Sequence, residues 1–247
     1  MNRPVLLVIA HGSRDPRHAA TVQTLVRRAG ALRPGLRVET AFLDFTLPSV
    51  PGVLDRLAAE GVRDVVALPL LLTRAFHAKA DIPAVLRQAP PSLRIRQAEV
   101  LGPSPLLVAA VERRLYEAGL GPGDKSATGV VLASAGSTDP EAIAVIAETA
   151  RELRRTGWCS VRPAFASASL PRTEDAVRAL RGEPGVRRVA VAPYVIAPGR
   201  LPDRIAAGAA EADVLADVLG PSPELARLLL ERYDAAHAPG VAVAHSA

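Results

Sequence analysis

Aromatic side chains make up only 3% of this 247-residue chain, and lysine occurs only at Lys79 and Lys125. Both shortages argue against a nucleic-acid partner, because bases are held by stacking rings and phosphate backbones by a concentrated basic face. The net charge of +5 comes from arginines scattered along the chain. A few of them in one cleft suit a small polycarboxylate or phosphate ligand. Cysteine occurs once, as Cys159, so no internal disulfide can form. No apolar run approaches the roughly 18–20 residues of a membrane span, and none has the flanks and cleavage site of a signal peptide. The expectation is a soluble protein of the reducing cytoplasm, with no membrane partner. Glycine-rich nucleotide loops between a strand and a helix are also lacking, which weighs against NAD and ATP. Ser13 lies in no Gly-x-Ser-x-Gly elbow.

What is abundant is aliphatic residues, and they come in a repeated order. Apolar residues reach 49%, carried mainly by Val, Leu and Ala, a profile of packed α/β layers. The segment AEVLGPSPLL at 98–107 returns as ADVLGPSPEL at 216–225. The opening stretch Val8 to Pro16 lines up with Leu132 to Pro140, both reading as a strand followed by Gly-Ser and Asp-Pro. Between these markers, Ala41-Phe42 and Leu47-Pro48 match Ala164-Phe165 and Leu170-Pro171, and Val65 to Pro69 matches Val189 to Pro193. An order preserved throughout identifies a duplicated domain.

In the first half, apolar runs near 5–10, 37–43, 64–72 and 94–101 alternate with helix-period segments near 16–33, 49–60, 78–88 and 104–118. This predicts an α/β protein of two tandem homologous domains, 1–120 and 128–236, each a parallel four-stranded sheet flanked by helices. Gly119 to Thr128 reads as the linker and residues 237–247 as a flexible tail. Parallel sheets take ligands outside the carboxyl ends of their strands. The loops to inspect therefore carry His11 to Arg14, Asp44, Arg74 to Lys79, Ser134 to Thr138 and Ala197 to Arg200.

His11 follows the first strand, and Gly12-Ser13 turns the chain into a helix begun by Asp15-Pro16. The residues leave two readings open: an imidazole aimed into the cleft, or a packing residue beside an ordinary turn. Ser13 and the next amides can alternatively hold an anion. His77 lies in the loop after the third strand, and two imidazoles from neighbouring strand ends suit iron, cobalt, nickel or zinc. Asp44 can add a carboxylate there or simply form a turn. His18 reads as a helix-surface residue, and His237 and His245 as tail residues.

Taken together, Ala10-His11-Gly12-Ser13-Arg14, Phe42-Leu43-Asp44 with Pro48-Ser49, and Pro69-Leu70-Leu71-Leu72 followed by His77-Ala78-Lys79 and Asp81-Ile82-Pro83 resemble the class II chelatases that act on sirohydrochlorin. With the repeat, the resemblance covers nearly the whole chain and is to the long form, in which two chelatase-like domains are fused. It implies metal-binding, proton-accepting roles for His11 and His77, with Asp44 standing where the family commonly has glutamate. In the second half Ala135 and Leu201 replace the two histidines, which implies one site per chain, supplied by the first half and closed by the second. The implied reaction inserts Fe²⁺ into sirohydrochlorin, giving siroheme, without ATP or any cofactor beyond the substrate metal. Insertion of Co²⁺ toward cobalamin is the alternative. Ser13, Arg14, Arg74, Lys79, Ser137 and Arg200 are the candidates for holding the substrate carboxylates, in a monomer with pseudo-dimeric halves. Two other classes are a metal or tetrapyrrole carrier without turnover and a duplicated sugar- or amino-acid-binding module.

Overall fold

The computed structural model describes residues 3–74 and 80–237. Two four-stranded sheets, all parallel, run in the orders β2-β1-β3-β4 and β6-β5-β7-β8. The first contains β1 (Val5–Ala10), β2 (Val38–Phe42), β3 (Asp64–Pro69) and β4 (Arg94–Gln97); the second contains β5 (Thr128–Ser134), β6 (Ser160–Phe165), β7 (Arg188–Tyr194) and β8 (Val214–Leu215). The helices are α1 (Pro16–Leu32), α2 (Val50–Ala59), α3 (Ile82–Leu86), α4 (Pro105–Glu117), α5 (Pro140–Arg155), α6 (Thr173–Arg181), α7 (Arg200–Gly208) and α8 (Pro223–His237). The expected βα alternation is present in both halves. The described part of the helix expected over 78–88 is only one turn, α3, and the connection before β5 is a 3-10 helix, Pro122–Ala127. His237, read as tail, ends α8.

Local chemistry accounts for the strand-to-helix turns. Asp15 caps α1, its carboxylate accepting the Arg17 N–H at 2.9 Å, and Pro16 occupies the first turn. Asp139 does the same for α5 through the Glu141 N–H at 2.9 Å. Strand side chains alternate between two faces, and both faces of the central strands are buried, as parallel sheets require. Leu7 and Ile9 of β1 pack outward with Val53, Leu54 and Leu57 of α2. Val131 and Ala133 of β5 pack outward with Val177 and Leu180 of α6. The opposite faces, Leu6 and Val8 in one sheet and Val130 and Leu132 in the other, belong to a single core between the sheets.

That shared core is built by an exchange of the last helix of each half. The helix α4 packs against β7 and α5, whereas its repeat counterpart α8 packs against α1, β3 and β4, and the two helices also pack on each other. Polar contacts follow the same exchange. The Tyr233 hydroxyl of α8 donates to the Pro4 carbonyl at 2.8 Å, and Arg232 donates to the carbonyls of Val100 and Leu101 at 2.9 and 2.7 Å. From α4, Glu112 pairs with Lys125 and accepts hydrogen bonds from Thr156 and Trp158.

Candidate functional site

In the order β2-β1-β3-β4 the chain leaves β1 toward β2 on one side and returns to β3 on the other, so a crevice opens between the carboxyl ends of β1 and β3. The second sheet repeats this between β5 and β7. The two crevices face a common cavity of about 420 Å³. His11, Ser13, His18 and Leu70 to Thr73 line it from the first half, Ser134 to Ser137 and Tyr194 to Pro202 from the second. Much of the wall is apolar, so charges inside it are screened less than at the surface.

The loop carrying His11 is held by backbone contacts. The Asp44 N–H donates to the His11 carbonyl at 2.9 Å and the Leu43 N–H to that of Ala10 at 3.0 Å. Gly12 has φ +95, and a Cβ there would stand 1.8 Å from the Asp44 carbonyl oxygen. Only glycine lets the two loops close on each other. The Ser13 hydroxyl accepts the Asp15 N–H at 3.1 Å, and Asp15 accepts that of Arg17. The Asp15 and Arg17 N–H groups at the start of α1 thus have partners within the chain. Ser13 and Ser137 both lie at the cavity wall, the latter accepting the Asp139 N–H at 3.0 Å. Gly199 brings the second half's loop close, its virtual Cβ 3.7 Å from the Ser13 hydroxyl.

His11, Ser13, Ser137 and Arg200 of the expected residues meet at one cavity. Asp44 is joined to His11 through its backbone, but its carboxylate accepts the Phe45 N–H at 2.8 Å, and the residue is exposed and not among those lining the cavity. Arg14 is exposed and likewise not among the lining residues, its guanidinium 5.2 Å from the centre of the Phe45 ring. Arg74 is exposed, 3.9 Å from Glu99, and is not among the residues lining the cavity. His77 and Lys79 lie outside the described residues. Among the described residues no three His, Cys, Asp or Glu side chains gather as a metal cluster.

His18 corrects the sequence reading: its ring stands in the cavity wall rather than on the helix surface. Burial, and then the neighbouring His11, hold its imidazole below the ordinary histidine range. Its Nδ1 is buried without a hydrogen-bond partner. The duplication contains a signal for it, because both His11 and His18 stand opposite alanines, Ala135 and Ala142, that line the same cavity. Tyr194 is buried in the far wall, and burial pushes its phenol well up, so it stays protonated.

Fold and crevice define a duplicated parallel α/β protein with a cavity shared by its halves, which among the described residues takes imidazole from the first half alone. The CbiX family matches residues 5–118 and again 129–236, and the chain belongs to that family. The sirohydrochlorin cobaltochelatase of Priestia megaterium is 29% identical over 210 residues, 81% of this chain and 66% of that protein. The sirohydrochlorin ferrochelatase of Bacillus subtilis is 28% identical over 216 residues, 82% of this chain and 78% of that one. Among solved structures, SirB from Bacillus subtilis with Fe³⁺ superposes with a TM-score of 0.81 at 25% identity, covering 95% of this chain and 96% of that one. No helix among the described residues is long and apolar enough to cross a membrane.

Proposed function

We propose that this protein is a sirohydrochlorin chelatase, inserting a divalent metal into the free-base tetrapyrrole. The observation that carries the reading is His11 in the wall of a cavity shared by two CbiX repeats. Insertion exchanges two pyrrole N–H protons for one M²⁺, so a site must strip water from the cation and take up two protons. Neutral imidazoles do both: His11 from the end of β1 and His77 from the loop after β3 are the proposed metal-holding and proton-accepting groups. Asp44 is proposed as an accessory carboxylate, and Ser13, Arg14, Arg74, Lys79, Ser137 and Arg200 as contacts for the substrate carboxylates.

In this reading residues 1–120 supply the chemistry and 128–236 close the cavity, within a cytoplasmic monomer that needs no nucleotide. Fe²⁺ is the first substrate metal proposed and Co²⁺ the second. Similarity to a cobaltochelatase and to a ferrochelatase at nearly equal identity favours neither, and metal selectivity in nitrogen-ligand sites often follows supply.

The test is anaerobic incubation of the protein with sirohydrochlorin and Fe²⁺ or Co²⁺, following the absorbance change of metal insertion, with His11→Ala and His77→Ala alongside. Repeated turnover that is lost in both variants is expected. Stoichiometric binding that stops after one equivalent identifies a carrier instead, and variants as active as wild type overturn the histidine assignment.

A further inference from the structure

Residues 44–49 and 167–172 are one turn built twice. Phe45 and Ala168 occupy equivalent places with φ of 59 and 60. The Thr46 N–H reaches the Asp44 carbonyl at 2.7 Å, and the Ser169 N–H that of Ser167 at 2.6 Å. The Asp44 N–H reaches the His11 carbonyl at 2.9 Å, and the Ser167 N–H the Ala135 carbonyl at 3.0 Å. The Thr46 hydroxyl bonds the Ser13 carbonyl and the Ser169 hydroxyl the Ser137 carbonyl. Leu47 and Leu170 are 80% and 74% exposed, so exposed leucine belongs to the turn itself.

The side chains around this common scaffold differ as a set. His11, Arg14, Asp44 and Phe45 of the first half face Ala135, Thr138, Ser167 and Ala168 of the second. The turn therefore does not need a ring at position 45, since alanine serves in the same conformation. A bulky residue at positive φ is disfavoured, and this one is 52% exposed, so core packing does not account for it. Its ring meets His11 edge to face, the centroids 6.1 Å apart at 84°, while Arg14 lies over it at 5.2 Å.

We propose that Phe45, backed by Arg14, is a stacking wall for the macrocycle beside His11: a binding residue for a flat, conjugated, carboxylate-bearing ligand. This rests on the proposed chelatase reading. The ring offers a π-face beside the imidazole that receives the metal, and Arg14 both polarises the ring and presents a cation to peripheral carboxylates. Stacking of this kind corresponds to about a 3–10-fold change in dissociation constant.

The experiment is a titration of the wild-type protein, Phe45→Ala and Phe45→Trp with metal-free sirohydrochlorin, with Co²⁺ affinity measured separately on each protein alone. Phe45→Ala reproduces the residue that the second half already carries in this turn, and its thermal midpoint is recorded to establish that it folds. Expected are a 3–10-fold weaker tetrapyrrole affinity in Phe45→Ala, recovery in Phe45→Trp, and Co²⁺ affinity unchanged in both. Unchanged tetrapyrrole affinity in a folded Phe45→Ala overturns the stacking wall and leaves the chelatase reading standing. Equal losses of metal and tetrapyrrole affinity also overturn it, reducing Phe45 to a prop for His11. Failure of the wild type to bind sirohydrochlorin sinks both.

Discussion

His18 is held neutral by burial and by His11, and this sets a sign for the pH dependence of stability. The unfolded chain takes up a proton near pH 6.5, and the folded chain only at lower pH. Stability associated with His18 is thus complete above pH 6.5 and is lost as pH falls through the depressed folded value. Denaturant midpoints at pH 7.5 and 5.5 are expected to fall less in His18→Leu than in wild type. Equal falls would show that His18 titrates alike in both states. The sequence reading missed this residue because helical periodicity places His18 on α1 without saying that the first turn of α1 faces the cavity. Arg74 shows the same gap between loop and direction: the sequence puts it in the loop after β3, and the structure has its guanidinium 3.9 Å from Glu99, with the residue not among those lining the cavity.

At the scale of elements, the strand-to-helix turns were the most legible part of the chain. Asp-Pro after Gly-Ser is a capping signature, and α1 and α5 begin where it stands. What was not legible is how tightly Gly12 and Gly136 are packed, with virtual Cβ atoms 1.8 and 1.9 Å from the carbonyl oxygens of Asp44 and Ser167. Alanine at either site adds a left-handed backbone cost to that clash, about 2 kcal/mol or more together. We expect Gly12→Ala and Gly136→Ala to lose similar stability in chemical denaturation. Chelation per folded molecule should drop sharply only in Gly12→Ala, because His11 rides on that loop. The α4–α8 contact supplies a second prediction. Glu224 is buried and paired with Arg113 at 2.6 Å. Burial raises its carboxyl, but Arg113, a backbone N–H and Arg227 outweigh this and hold it below the ordinary glutamate range. Arg113→Ala should cost about 1–3 kcal/mol near neutral pH. That difference should shrink as pH falls through the depressed folded value, since protonation of the folded carboxylate removes the charge that Arg113 pairs with. A constant difference at all pH values would mean that the pair contributes nothing through charge.

For the whole molecule, duplication was legible because motif order survives in the sequence, and both sheets have the strand count the repeats imply. The exchange of α4 and α8 was not, since an amphipathic pattern shows that a helix has an apolar face but not which sheet receives it. With the core continuous between the sheets, the halves should unfold together. Fluorescence of the single tryptophan, Trp158, and far-UV circular dichroism are expected to trace one coincident thermal transition, whereas separated midpoints would show that each half melts alone. Removing residues 221–247 should expose the α8-facing side of the first sheet and give a chain that binds hydrophobic dyes and lacks sharp near-UV signals.

The crossed helices also govern the order in which the chain can mature during synthesis. The first sheet emerges from the ribosome early with α1 to cover part of its inner face, but the helix that shields β3 and β4 on that side lies at residues 223–237. Until that stretch is free of the exit tunnel, the β3–β4 side of the inner face waits uncovered, and the closing contacts span more than 200 residues, as the Tyr233 bond to Pro4 does. Folding can therefore be completed only once the last helix is released, and contacts of such long sequence separation are slow to form.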